Sequence, residues 1–230
     1  MKFGIVCAGD EELAPFLPMM DHCKVIEKAR LKFYEGQIDG TEVVALFSGV
    51  CKVNAAIASQ ILIDIFDVNV IINSGTAGGM DPRLKIFDTV ISTEVCYHDV
   101  AQDILTEFHP WMKSVFFEAD QKLIELSKAA VEKTKLPGKV FWGRMVTGES
   151  FITEEGRQKI NDEFAPLTVD METASIAHVC YVNHIPFISV RCVTDTAEES
   201  GVSNFEENCA KASAIAKNIT VAILREAADV

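Results

Sequence analysis

Apolar residues fall along this chain in short unbroken runs separated by stretches of helical spacing. Lys2 to Ala8, Val68 to Asn73, Phe87 to Val95, Lys139 to Thr147 and Phe187 to Val193 are the runs. Each has the length and continuity of a strand covered on both faces. Leu31 to Ile38 and Thr41 to Ser48 alternate instead, and they flank Asp39-Gly40, a pair that marks a tight hairpin. Asn54 to Phe66 places Ala55, Ile57, Ala58, Ile61, Leu62 and Ile65 at helical spacing. Asp120 to Thr134 does the same with Leu123, Ile124, Leu126, Ala130 and Val131, and Leu136-Pro-Gly138 closes it.

The remaining elements are read from punctuation as much as from period. Leu13 to Met20 predicts a helix with Pro15 in its first turn and Pro18 limiting it. Glu172 to Cys180 is small and apolar on nearly every face, which predicts a buried helix. Thr153-Glu-Glu is a helix start, and Ser203-Asn-Phe-Glu206 fits a capping box for a last helix running to about Ala227. Val100 to Phe117, with His109-Pro110-Trp111, predicts a long loop that covers a pocket or packs on a partner. Ala197 to Val202 is a polar connecting segment. No repeat, low-complexity tract or linker divides the chain. Strands alternating with helices predict one α/β domain over residues 1–230, with a mixed, mostly parallel twisted sheet and helices on both faces.

Composition narrows the class. At 230 residues, 49% hydrophobic and 24% charged, the chain has the balance of a globular domain with a sizeable core. Its net charge of −13 would repel nucleic acid polymers and anionic membranes. Seven cysteines, none in a C-x-x-C pair and most in apolar runs, predict reduced buried thiols and a cytoplasmic location. The apolar run at the N-terminus is too short for a signal peptide or a membrane span.

Several chemistries lack their motif. There is no H-E-x-x-H, and the histidines are scattered, so no metal site is expected. No G-x-x-x-x-G-K-[ST] loop and no G-x-S-x-G elbow occur. Ser74-Gly-Thr-Ala-Gly-Gly79 has the wrong glycine spacing for a dinucleotide fingerprint. It reads either as a tight loop or as a place where Gly75, Thr76 and Ala77 let backbone approach a small ligand. Tyr97-His98-Asp99 carries a His-Asp pair that reads first as a structural hydrogen bond. Carboxylates at strand ends remain: Glu12 past the first strand, Glu172 at a helix start and Asp195 at the end of an apolar strand. Ligands of open α/β sheets bind at such ends. A helix start favours a charged carboxylate, so Glu172 is expected to stay ionised. Glu11 and Glu12 also read as a simple acidic helix start, and Phe151 as either core or a flat surface for a base.

Four stretches, taken together, resemble a known family. They are Cys7-Ala-Gly-Asp-Glu-Glu12, Asn73 to Gly79, Val169-Asp-Met-Glu172-Thr-Ala and Arg191-Cys-Val-Thr-Asp195. In this order they are similar to the signatures of the nucleoside phosphorylase and nucleosidase superfamily, and most similar to its 5′-methylthioadenosine/S-adenosylhomocysteine nucleosidases. The resemblance implies a nucleoside phosphorylase-like fold, a purine nucleoside as substrate, no cofactor and a homodimer. It implies that Asp195 protonates N7 of the purine and that Glu12 is the base that orients water, with Arg191 holding that water or carboxylate. It implies that Glu172 binds the ribose hydroxyls while Met171 packs on the sugar. Phe151 would stack on the purine and the Ile152 backbone would read its edge. Thr194 would stand next to the acid and Thr76 near the sugar.

Phosphorylases of this superfamily need arginines for phosphate. Here the corresponding stretches read Glu11-Glu12-Leu13 and Ile72-Asn73-Ser74, so water is the expected nucleophile. Gly9-Asp10 resembles the phosphorylases' first loop and keeps phosphorolysis as the rival reading. A nucleoside-binding protein without catalysis is the second rival, and the presence of all three carboxylates argues against it. After Asp99 the chain departs from the nucleosidase pattern. The choice of 5′ substituent is therefore left open, together with futalosine-type or plain purine nucleosides.

Overall fold

A computed structural model of the protein describes residues 1–108, 112–199 and 201–228. The chain begins with β1 (Lys2–Cys7), α1 (Asp10–Leu13), β2 (Asp21–Lys28), β3 (Leu31–Ile38), β4 (Thr41–Phe47) and α2 (Lys52–Phe66). Next come β5 (Val70–Gly79), β6 (Thr89–Tyr97), α3 (Gln102–Glu107), β7 (Phe117–Glu118), α4 (Gln121–Lys133) and β8 (Val140–Thr147). It ends with α5 (Glu154–Phe164), β9 (Thr168–Asp170), α6 (Thr173–Asn183), β10 (Phe187–Asp195) and α7 (Val202–Ala228).

All described strands join one mixed sheet. Parallel pairs β1–β4, β1–β5, β5–β10, β6–β8 and β8–β9 are matched by antiparallel β2–β3, β3–β4, β5–β9, β6–β7 and β6–β10. Following the pairs from β5 through β10, β6, β8 and β9 returns to β5, so half of the sheet closes on itself. Strands β1, β4, β3 and β2 extend from β5 as an open wing.

Side-chain alternation explains the two helical layers. Phe3, Ile5 and Cys7 of β1 join the core under α4 and α7, whereas Val6 joins Leu62 of α2 and Ala177 of α6 on the other face. Gly4 faces α2 so closely that a Cβ would stand 3.0 Å from Leu62. Every residue of β10 is buried, as its unbroken apolar run predicts. The β3–β4 turn has φ +48° at Asp39 and +82° at Gly40, the two positive values that the Asp-Gly pair supplies.

Four sequence expectations change. Leu13 to Met20 is not one helix: α1 ends at Leu13, and a single 3₁₀ turn spans Leu17–Met19, because Pro15 and Pro18 cannot donate to a continuing ladder. Ser74 to Gly79 is not a loop but the second half of β5, paired to β10 and β9. The segment from 100 to 117 holds α3 and the start of β7; His109, Pro110 and Trp111 lie outside the described residues. Helix α7 begins at Val202, so Ser203 sits inside its first turn rather than capping it. Strand β2 went unread because all eight of its residues are exposed, which removes the alternation that marks a half-buried strand.

Candidate active site

Six strands end around one cavity of about 410 Å³, within the usual size of a small-molecule site. Ala8 to Glu12 follow β1, Val50 follows β4, and Thr76 to Gly78 belong to β5. Ser150 to Ile152 follow β8, Asp170 to Glu172 end β9, and Thr194 and Asp195 end β10. Phe205, Glu206 and Cys209 of α7 complete the wall. Ten of the residues singled out above line it: Glu12, Thr76, Ala77, Phe151, Ile152, Met171, Glu172, Arg191, Thr194 and Asp195. Gly75 does not.

Glu12 is 5% exposed and accepts hydrogen bonds on both oxygens. Oε1 takes Thr76 N at 2.7 Å and Thr76 Oγ1 at 2.9 Å; Oε2 takes Ala8 N at 2.7 Å and Gly9 N at 3.4 Å. The Thr76 hydroxyl donates to Glu12, and Thr76 lines the cavity. At Gly75 it is the Glu12 carboxylate, not a ligand, that approaches the backbone: a Cβ there would land on the carboxylate itself.

Glu172 is 3% exposed. Its Oε1 accepts from Cys51 N at 2.9 Å and its Oε2 from Arg191 Nη2 at 3.2 Å. The free N–H groups expected at the start of α6 do not reach it. The first N–H groups of α6 go to other acceptors: Glu172 N and Thr173 N donate to Asp170 Oδ1 at 3.0 and 2.9 Å, and Ala174 N donates to Thr147 Oγ1 at 2.9 Å. Left without that support, Glu172 is pushed up to about 7 by burial, with Asp170 and Glu12 adding to the shift against the pull of Arg191 and Cys51 N–H.

Cys51 donates to Glu172 from an unusual backbone, φ +83° and ψ 163°, a region almost reserved for glycine. Neighbouring contacts hold it there. Asn54 Nδ2 donates to Val50 O at 2.8 Å, Lys52 N to Glu149 Oε1 at 2.9 Å, and Lys52 Nζ pairs with Asp99 at 2.8 Å. The Asp99 carboxylate thus serves Lys52 and Glu149 N. The structural hydrogen bond expected between His98 and Asp99 is not formed: Asp99 serves Lys52 and Glu149 instead, and His98 does not line the cavity.

Arg191 lies at the centre, 1% exposed. Nη1 donates to Thr76 O at 2.9 Å and Nε to Thr173 Oγ1 at 3.2 Å. Three carboxylates surround it: Glu172 at 3.2 Å, Asp170 at 3.6 Å and Glu12 at 3.7 Å. Burial opposes its charge, but Asp170, Glu12 and Glu172 outweigh that and hold its pKa above the ordinary guanidinium value. Below it, Asn73 Oδ1 accepts from Ser189 Oγ at 2.9 Å and lies 2.8 Å from Thr173 Oγ1, closing a buried polar floor.

Asp195 stands apart from that cluster, 2% exposed, with Thr194 Oγ1 donating to its Oδ1 at 2.9 Å. Burial raises its pKa against the pull of Thr194 and Arg157. The β5–β10 register shifts between Val193 and Asp195, and such a bulge re-aims a side chain. Gly78 makes room for the carboxylate: a Cβ there would stand 3.2 Å from Asp195 Oδ2. Glu12 touches β5 at Gly75 and Asp195 touches it at Gly78. Three strand residues put these points about 10 Å apart, with the cavity between. Phe151, 38% exposed, meets Phe205 edge to face at 6.4 Å across the mouth. Ile152 packs on the cluster of Met80, Val146 and Val169.

Asp170, Cys51 and Phe205 were missed from sequence. Asp170 stood in the Val169-Asp-Met-Glu172 stretch, two residues from an acid that drew the attention. Phe205 was hidden in a helix start. A backbone donor such as Cys51 N–H leaves no signal in residue type.

Seven carboxylates line the cavity (Asp10, Glu11, Glu12, Asp170, Glu172, Asp195 and Glu206) against one arginine that is already surrounded. That balance suits a ligand gaining positive charge and opposes an anionic one. The model of the phosphorylase superfamily matches residues 2–225. The 5′-methylthioadenosine/S-adenosylhomocysteine nucleosidase of Staphylococcus carnosus is 36% identical over 96% of this chain and 98% of its own length. That of Oceanobacillus iheyensis is 39% identical over 88% of this chain and 90% of its own. Among solved structures, the nucleosidase of Colwellia psychrerythraea in complex with adenine superposes with a TM-score of 0.90 at 34% identity, covering 98% of this chain and 95% of that one. The chain belongs to the phosphorylase superfamily and, within it, to the 5′-methylthioadenosine/S-adenosylhomocysteine nucleosidases.

Proposed function

We propose that the cavity hydrolyses the N-glycosidic bond of 5′-methylthioadenosine- and S-adenosylhomocysteine-type nucleosides, releasing adenine and a 5-thioribose. The observation that carries this reading is the convergence of Glu12, Glu172 and Asp195 on one cavity, with Arg191 bridging the first two. Asp195, whose pKa burial raises, gives its proton to N7 of the purine. The C1′–N9 bond then breaks with its electron pair going to the base, and the ribosyl carbon becomes cationic. Glu12 takes the proton of a water that attacks C1′ from the opposite side. Its Oε2, with one short and one long hydrogen bond, keeps an acceptor position for that water. Glu172 accepts from the ribose hydroxyls, and Met171 packs on the sugar. Phe151 stacks on the base, with the Ile152 backbone along its edge. Arg191, fully buried, acts by holding the carboxylates rather than by meeting water.

The acidic lining supports water over phosphate as the nucleophile. The test is to incubate the protein with methylthioadenosine, with and without phosphate, and identify the sugar. Free 5-methylthioribose in both cases upholds the reading; a sugar 1-phosphate that appears only with phosphate overturns it.

A cytoplasmic homodimer serving methionine salvage is the setting we propose. All seven cysteines are free, which suits a reducing compartment. Among the described residues no helix is long and apolar enough to cross a membrane. Val53 and Ile57 of α2, Ile104 and Phe108 at α3, and Tyr181 and Val182 of α6 are exposed, an apolar surface of the kind that subunits cover. Sedimentation of the purified protein checks the dimer.

A further inference from the structure

Asp170 has no role in the reaction described above, yet it is 8% exposed and among the most heavily bonded carboxylates of the cavity. Its Oδ1 accepts from Glu172 N, Thr173 N and Thr147 Oγ1 at 3.0, 2.9 and 2.7 Å. Its Oδ2 accepts from Thr173 Oγ1 and lies 3.6 Å from Arg191 Nε. One carboxylate therefore does two separable things: it caps α6, and it balances Arg191 from the side away from Glu12. Capping needs no charge, since Asn and Ser cap as well as Asp. The buried charge is the part that calls for a reason.

We propose that Asp170 is a positioning residue for glycosidic cleavage, taking up the charge of Arg191 so that the negative field of Glu12 and Glu172 stays directed at the sugar. This rests on the reading that those two carboxylates face the ribosyl ring. Three carboxylates against one guanidinium leave the cluster at −2 when all are ionised; without the Asp170 charge it is −1. A neutral nucleoside is little affected by that difference. A ribosyl ring that turns cationic in the transition state feels it more strongly, because the charges beside it are buried and fixed.

The test compares two ligands that differ in one charge. Both carry adenine and a 5′-methylthio group. One has a pyrrolidine in place of the sugar ring, protonated at pH 8.5; the other has a neutral cyclopentane. At that pH Glu172 is ionised. Wild type should bind the pyrrolidine more tightly. Asp170→Asn should lose about tenfold or more of that preference and a similar factor in kcat. Its KM, its affinity for the cyclopentane and its Tm should stay near wild type, because the cap survives. Asp170→Ser, a second neutral cap, should repeat the pattern if the Asn variant does not fold. Retained preference and kcat in the neutral variants would make Asp170 a cap only and overturn the proposal, as would an equal loss for both ligands. If wild type itself shows no preference, the reading of the carboxylates around a ribosyl cation fails, and this proposal with it.

Discussion

Replacing Glu172 with Gln tests the charge balance of the cavity, because the amide has the shape of the protonated acid. Glu172 is pushed up to about 7 from 4.5 by burial and by its acidic neighbours. A carboxyl whose folded pKa is raised binds its proton more tightly in the folded state. Its contribution is therefore complete below about 4.5 and is lost as pH rises through about 7. The full difference, 2.5 pKa steps at 1.36 kcal/mol each, is about 3 kcal/mol, of which about 2 kcal/mol disappears between pH 5.5 and 8.5. Glu172→Gln lacks this titration. Urea unfolding of both proteins at the two pH values should find the variant gaining about 2 kcal/mol on wild type as pH rises. Activity should move the other way. In its proposed role an ionised Glu172 accepts from two hydroxyls, and a charged hydrogen bond contributes about 1.5–3 kcal/mol, so the variant should raise KM by about tenfold or more. Wild-type kcat/KM should rise with pH through about 7, and the variant should lack that limb. A stability difference that does not change with pH would refute the charge balance drawn here.

Asp195→Asn keeps the shape and the bond to Thr194 but has no carboxylic proton to give; kcat for methylthioadenosine should fall by about 10²–10⁴ with ligand affinity nearly unchanged, and a near-normal kcat removes the acid role. In wild type the raised pKa of Asp195 means the acid is present at low pH and is lost as pH rises through that value, giving the falling limb of the kcat profile. Gly75→Ala forces a methyl onto the Glu12 carboxylate; steady-state kinetics should show kcat down by about 10² or more, and normal turnover would mean Glu12 is free to move. Phe151→Ala should weaken adenine by about 1–3 kcal/mol, the range for a base stacked on an aromatic ring; calorimetry that finds no loss excludes stacking.

The sequence carried the core of this site because its residue types are costly to bury. Glu12, Glu172, Arg191 and Asp195 each interrupt or end an apolar run, and a charge in such a setting calls for a partner. Helices α2 and α4 were legible from spacing, the β3–β4 hairpin from Asp39-Gly40, and β10 from its unbroken run. Legibility failed where the determinant was another part of the chain. Ser74 to Gly79 looked like a loop because glycine weakens strands, but two of these glycines sit where carboxylates press on β5. Glu172 looked ionised because a helix start favours anions. The helix's N–H groups were already engaged by Asp170 and Thr147, and nothing local to Glu172 could reveal that.

That last point ties the fold to the chemistry. Strand β9 is only three residues long, yet it closes the sheet between β5 and β8. Its final residue, Asp170, is thereby fixed where α6 must start. Because Asp170 and Thr147 occupy the donors at that start, Glu172 points away from its own helix, toward Cys51 N–H and Arg191. There it has too few donors for a buried charge, which is why it holds a proton to about 7. Two ribose hydroxyls would supply the donors it lacks. In the proposed role of Glu172, sugar binding would thereby favour its ionised form. Asp195 lies outside the Arg191 cluster, and burial raises its pKa as well, which supports the proposed part as proton donor. The two buried acids differ in their partners: Arg191 lies 3.2 Å from Glu172, whereas Asp195 accepts from Thr194 and feels the pull of Arg157.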